Sequence, residues 1–248
     1  IESLREISAK SGVNIIATTG FHKSEFYDKS HFLWKYDTEQ LVELLVADVC
    51  DGIDIYDYAG PIVKRSEGRA GVIKAACSLQ SITTVEKKEL RAAAIASNIT
   101  GAPVSLHLEK GTMALEAIDI LLENGAKPNN IILGHIDRNP DYYYHEQIAK
   151  RGVFLIYDGA ARVKYYTDEV IARLIEHMVE TGFEDQLLMG ADLGGKSYFR
   201  SYEGGPGLGY NLGIFTPRLL ASGISQQTVD KMLIHNARRA FTNKKAGA

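Results

Sequence analysis

Residues 103–135 read PVSLHLEKGTMALEAIDILLENGAKPNNIILGH. An apolar run ends in His107, a helical stretch opens at Thr112 and closes at Gly125, and a second apolar run ends in His135. Threonine suits a helix cap, and glycine suits the left-handed residue that stops a helix. Strand, helix and strand in this order predict a parallel pair joined by a right-handed crossover. Each strand is predicted to finish on an imidazole.

Outward from this unit the order repeats. Six strands are read: Asn14 to Thr19, Val72 to Ala76, Val104 to His107, Ile131 to His135, Val153 to Tyr157 and Leu187 to Ala191. Helices are read over Thr84 to Gly101, Thr112 to Gly125, Pro140 to Gly152 and Thr167 to Gly182. In the last of these, Val170, Ile171, Leu174, Ile175 and Met178 recur at helical spacing, as a stripe packed on a sheet would. SQQTVDKMLIHNARRAF, residues 225–241, predicts one more amphipathic helix at the base or flank. Two stretches break the alternation, residues 21–69 and 194–215, and long loops after strands are where function concentrates. With no repeat and no shift in composition, residues 1–248 are expected to form one α/β barrel domain.

Composition excludes several classes. A net charge of -3, with no Lys/Arg run, offers no footprint for nucleic acid. No apolar run reaches the ~20 residues of a membrane span. The opening IESLREISAK reads as an amphipathic helix already under way and not as a signal peptide. Two cysteines, Cys50 and Cys77, are too few for a disulfide framework and suit a reducing, cytoplasmic setting.

Four polar residues interrupt apolar strands: Lys74 in AGVIKAACS, His107, His135, and Asp192 after LLMGA. A lone strand-end histidine is usually structural, but the C-terminal strand ends of a parallel barrel converge on one face. The gaps of 33, 28 and 57 residues correspond to one, one and two βα units. Two imidazoles and a carboxylate suit zinc or a similar divalent ion, and a lysine joins them only if its charge is removed or converted. Formation of a carbamate with carbon dioxide is such a conversion. By contrast, His22 and His31 read as solvated or pocket-rim residues, and His145, His177 and His235 as structural or surface groups. Asp137 and Asp141 in GHIDRNPD read as loop-shaping and helix-capping residues.

NIIATTGFHK, GVIKAA, GHIDRNPD and MGADLG, in that order, resemble the phosphotriesterase branch of the amidohydrolase superfamily over nearly the whole chain. The resemblance implies a (β/α)8 TIM barrel, of which the first two strands, with a His-x-His pair, are expected to be missing from this sequence. It further implies that Lys74, as a carbamate, bridges two divalent metal ions, with zinc expected. His107 and His135 would hold one ion, and Asp192 would hold the other and shuttle a proton. The implied activity is hydrolysis of an ester-type bond by a hydroxide bridging the two ions.

Loop residues narrow the substrate. Arg162, Lys164, Tyr165 and Tyr166 follow one strand, and Lys196, Tyr198, Arg200 and Tyr202 follow the next. Such clusters suit an anionic group, and they resemble the phosphate pockets of phosphorylated-sugar lactonases, with Lys164, Lys196 and Tyr198 as substrate-binding candidates. The expected partner is a small anionic lactone or ester, without nucleic acid or membrane, and a homodimer is left open. Other lactonases, esterases or phosphotriesterase-like hydrolases fit the same motifs. From other classes, Lys74 also suits a Schiff-base aldolase-type barrel, and loss of the first-strand ligands would suit a non-catalytic binding barrel.

Overall fold

The computed structural model of the chain describes residues 1–243. Six strands form one sheet in sequential order, and every neighbouring pair is parallel. They are β1 (Thr18–Gly20), β2 (Val72–Cys77), β3 (Val104–Leu108), β4 (Ile131–Gly134), β5 (Phe154–Tyr157) and β6 (Leu187–Met189). Helix α1 (Glu2–Ser11) precedes β1, and the crossovers carry α2 (Thr38–Cys50), α3 (Thr84–Thr100), α4 (Ala114–Glu123), α5 (Tyr142–Ala149) and α6 (Asp168–Glu180). After β6 come α7 (Thr216–Ala221), α8 (Gln226–Asp230) and α9 (Asn236–Phe241). This sequential βα succession is that of a TIM barrel, represented here by six strands.

Local chemistry explains the helix ends. Thr83 and Glu86 close a reciprocal capping box on α3, Asp37 and Gln40 do the same on α2, and Gly101 stops α3 at φ 78°. Two expected starts move inward. The fourth helix begins at Ala114 because Met113 is left-handed at φ 64°, and the fifth begins after Asp141, whose carboxylate accepts from Tyr144 N at 3.0 Å.

The first strand is shorter than the Asn14 to Thr19 run. β2 begins at Val72, which pairs with Thr18, so residues before Ala17 have no rung to join. Gly20 ends β1 at φ 102°, and a Cβ there would lie 2.1 Å from Lys74 O, so only glycine admits this approach. The last helix, expected to be continuous, is divided by a π-turn at Lys231–His235. Beyond that turn, buried Asn236 donates to Glu184 O and Leu187 O, both at 2.8 Å, which ties α9 to the start of β6.

Alternation along the strands sorts the side chains into two layers. Ile73, Ala75, Leu106, Leu108, Ile131, Leu133, Leu155 and Leu187 pack in the main core with the helices. Ile132, Phe154 and Leu188 face the other way and meet Ala240 of α9 in a second cluster. Lys74 and His107 share the parity of that inner face. They are therefore directed away from the helix layer.

Within the helix layer Glu89 of α3 is 1 % exposed, and neither carboxylate oxygen has a partner among the described residues. Burial, and then Glu86, push its pKa from an ordinary 4.5 up to about 9. Because the folded value lies above the unfolded one, the stabilisation from the neutral acid is whole below pH 4.5 and is lost as pH rises through about 9. Thermal melts of the unaltered chain should therefore show a midpoint that falls across this window, whereas Glu89→Gln should melt higher at pH 8 and with a flatter profile. Each 1 kcal/mol corresponds to about 2–4 °C in a chain of this size. Identical pH profiles would show that Glu89 has a partner.

Candidate metal centre and anion pocket

At the C-terminal ends of β3 and β4, His107 and His135 meet, with His107 Nδ1 2.8 Å from His135 Nε2. They reach this point by different routes. His107 lies within β3 on the inner face. His135 follows β4 by one residue, and simple alternation would send it outward with Ile131 and Leu133. Its backbone is left-handed at φ 65°, which re-aims the ring. Asp192, three residues beyond β6, is also left-handed, at φ 46°. Such conformations cost non-glycine residues about 1–3 kcal/mol and cluster at working sites.

Each imidazole is held from its outer side. His107 Nε2 lies 3.0 Å from Glu109 Oε2, and His135 Nδ1 lies 2.9 Å from Asp158 Oδ1. Ionised carboxylates only accept, so both outer nitrogens donate. The two inner nitrogens therefore converge on one positive charge, carried by a proton or a metal ion. Metal–nitrogen bonds of about 2.0–2.1 Å in tetrahedral geometry place two such nitrogens about 3.3 Å apart, so the 2.8 Å seen is hydrogen-bond spacing that a bound ion would widen by about half an ångström. Burial pushes the His107 pKa down to about 3, which keeps a lone pair on this ring. Burial works to raise the pKa of Glu109, but Lys23 and His107 outweigh it and bring it down to about 2.

Lys74 sits in the middle of β2, not at its end, with Gly20 and Ser105 as its ladder partners. Its ammonium makes no hydrogen bond or ion pair among the described residues. Burial lowers its pKa, against the opposing fields of Asp158 and Asp192. A desolvated amine of this kind is nucleophilic, as carbamate formation requires. His135, Asp158 and Asp192 each present a ligand atom, all within 4.8 Å of one another. The donor set thus fits divalent-ion chemistry at two adjoining points.

A cationic wall closes one side. Arg138 Nη2 donates to Asp192 Oδ2 at 2.6 Å, and Arg162 donates to the same oxygen and to Asp192 O. Burial tends to raise the Asp192 pKa, but His135, Arg162 and Arg138 overcome it, and the net shift is downward. Arg162 also donates to Tyr198 Oη at 3.1 Å. The Tyr165 ring lies against Arg138, Arg162 and Lys164, with ring centroid distances of 4.3, 5.3 and 4.9 Å.

Of the residues named from sequence, Lys74, His107, His135 and Asp192 share one electrostatic neighbourhood, and Tyr198 reaches it through Arg162. Lys164 and Lys196 are exposed, each near a tyrosine ring. Asp141 caps α5, and Asp137 accepts from Gly159 N at 2.6 Å. His145 is buried between Tyr157 Oη and backbone carbonyls. His22 is not a free rim residue: its ring lies 4.5 Å from that of His107. Glu109, Arg138 and Lys23 join the site without standing out in the sequence. Glu109 and Arg138 lie within three residues of a strand-end histidine, and that proximity was the available signal.

The chain is similar to known proteins in sequence and in fold. The sequence profile described as "Phosphotriesterase family" matches residues 1–241. A phospho-furanose lactonase of Mycoplasmopsis synoviae is 41% identical over 243 residues, covering 94% of this chain and 69% of that protein. The crystal structure of an amidohydrolase from Mycoplasma synoviae superposes with a TM-score of 0.94 at 38% identity, covering 99% of this chain and 72% of that one. A lactonase structure from Listeria monocytogenes gives a TM-score of 0.90 at 34% identity, covering 98% and 78%.

Asp158 accepts from His135 Nδ1, and such hydrogen-bond supports of metal-binding histidines are typically worth about 10–100-fold in metal affinity. Titration of Asp158→Asn with zinc against a chromophoric chelator is expected to show weakening of about that size. Unchanged affinity would mean that Asp158 does not orient the ring.

Proposed function

The chain belongs to the phosphotriesterase family, and on that premise we propose that it is a metal-dependent hydrolase that opens the lactone ring of a phosphorylated sugar. The observation carrying this reading is the convergence of His107 Nδ1 and His135 Nε2 on one point, in the same electrostatic neighbourhood as the Lys74 amine, which has no hydrogen bond or ion pair among the described residues. A Schiff-base barrel would have use for the amine but none for the paired imidazoles.

In this reading His107 and His135 hold one divalent ion and Asp192 contributes to a second, with zinc the expected metal. The ions supply Lewis acidity and a lowered pKa of bound water. Lys74, as the carbamate that its neutral amine would form with carbon dioxide on release of a proton, would supply an anionic oxygen ligand to the metal centre in place of a cation. Asp192 accepts the proton of the attacking water and delivers it to the ring oxygen as the acyl–oxygen bond breaks. Arg138 and Arg162 hold that carboxylate in place and keep it ionised between turnovers.

Substrate choice rests on the wall beyond Asp192. Arg162 and Tyr198 form its inner part and Lys164, on the Tyr165 ring, its exposed rim, while Lys196 lies two residues before Tyr198 against the Tyr202 ring. Cations and a phenol suit a phosphate better than a neutral triester or an acyl tail. The phospho-furanose lactonase name of a 41% identical relative supports the same class.

Two measurements test the reading. Metal analysis of the full-length protein should find about two divalent ions per chain, the number a bridged centre holds, and Lys74→Ala should lose metal and turnover together. Full turnover by Lys74→Ala would overturn the mechanism. Comparing phosphorylated and unphosphorylated sugar lactones, Lys164→Ala should raise KM for the phosphorylated form only; equal effects on both would remove the phosphate pocket.

A further inference from the structure

The turn after β3 is built at some cost. Lys110, Gly111 and Met113 are all left-handed, at φ 51°, 68° and 64°. Gly111 lies so close to the β4 end that a Cβ would stand 2.8 Å from His135 O. Thr112 Oγ1 donates to Glu109 O at 2.8 Å, which fixes the turn from within. The result is that Glu109 Oε2 sits between two donors, His107 Nε2 at 3.0 Å and Lys23 Nζ at 2.7 Å. Lys23 comes from the loop after β1, is 8 % exposed, and also pairs with Glu25 at 2.6 Å. On the same loop, His22 places its ring 4.5 Å from that of His107. Two loops from different strands therefore grip the outer side of one imidazole.

We infer that Glu109 is a positioning residue for His107: by accepting from Nε2–H it fixes the tautomer that leaves Nδ1 free to hold a divalent ion, and Lys23 holds Glu109 in that pose. The inference rests on the reading of His107 as a metal ligand. A neutral imidazole has one N–H and one lone pair, and the partner of the first decides where the second points. Without Glu109 the ring can turn or take the other tautomer, so the lone pair is no longer committed to the point shared with His135. Lys23 keeps the carboxylate from swinging toward solvent, where Glu109 is otherwise partly open.

The test is zinc affinity of the full-length protein, measured by chelator competition, alongside the thermal midpoint of metal-free protein. Glu109→Ala should bind zinc about 10–100-fold more weakly, with a fall in the metal-free midpoint as well, because Lys23 keeps only Glu25 as an ion-pair partner among the described residues. Glu109→Gln, whose amide oxygen can still accept from Nε2–H, should recover most of the affinity. If Glu109→Ala cannot be purified, Glu109→Asp serves in its place, because it keeps the charge but withdraws it from the ring, and the same loss is expected. Full zinc affinity in either variant, or a loss that Gln does not relieve, would overturn the inference. Failure of the unaltered protein to bind zinc would instead sink the reading of the site.

Discussion

With their outer N–H groups given to Glu109 and Asp158, the inner nitrogens of His107 and His135, 2.8 Å apart, face each other lone pair to lone pair unless a proton or a metal ion lies between them. The rest of the site follows from that demand. Glu109 and Asp158 take up the outer N–H groups, so the inner lone pairs have no other direction to point. Arg138 and Lys23, on opposite sides, hold the carboxylates that would otherwise compete for the same charge. Backbone strain at His135 and Asp192 is spent where it brings side chains of wrong or distant parity to this point.

A parallel sheet supplies the frame for this arrangement. Its strands run the same way, so every C-terminal end opens on one mouth, and residues far apart in sequence meet there without long excursions. On the inner face Ile132, Phe154 and Leu188 pack on Ala240. Lys74 stands in register with Ser105 and, through it, with Ile132. Its place in mid-strand explains the burial that lowers its pKa, and among the described residues no hydrogen bond or ion pair holds it as an ordinary ammonium. The cationic wall of Arg138, Arg162 and Lys164, gathered on Tyr165, gives the mouth a direction: an anion approaching Asp192 meets charge of the opposite sign.

Much of this was legible in the residues alone, because apolar runs, caps and glycine stops are local signals. The runs ending at His107 and His135, the glycine closing each helix and the order of six strands depend on neighbours a few positions away. So the parallel α/β architecture, and Lys74, His107, His135 and Asp192 as its polar interruptions, could be read directly. The failures were also physical. Residues 14–17 have strand composition, but no rung of β2 lies beside them. The helix at the end of the chain has unbroken periodicity, yet a π-turn divides it just before Asn236 reaches the carbonyls below β6.

What only the tertiary structure decided is which atoms face each other. No local pattern places Glu109 against Lys23 across 86 residues or Arg138 against Asp192 across 54. Nor does one tell that His135 turns inward through a left-handed backbone, since alternation alone points it at the helices. Sequence periodicity determined the layers, and with them the mouth where polar residues gather. The tautomer of each imidazole, and the choice of Arg162 over the exposed Lys164 as the cation touching Asp192, rest on contacts between strand ends. Those contacts exist only after the sheet has closed the distances between them.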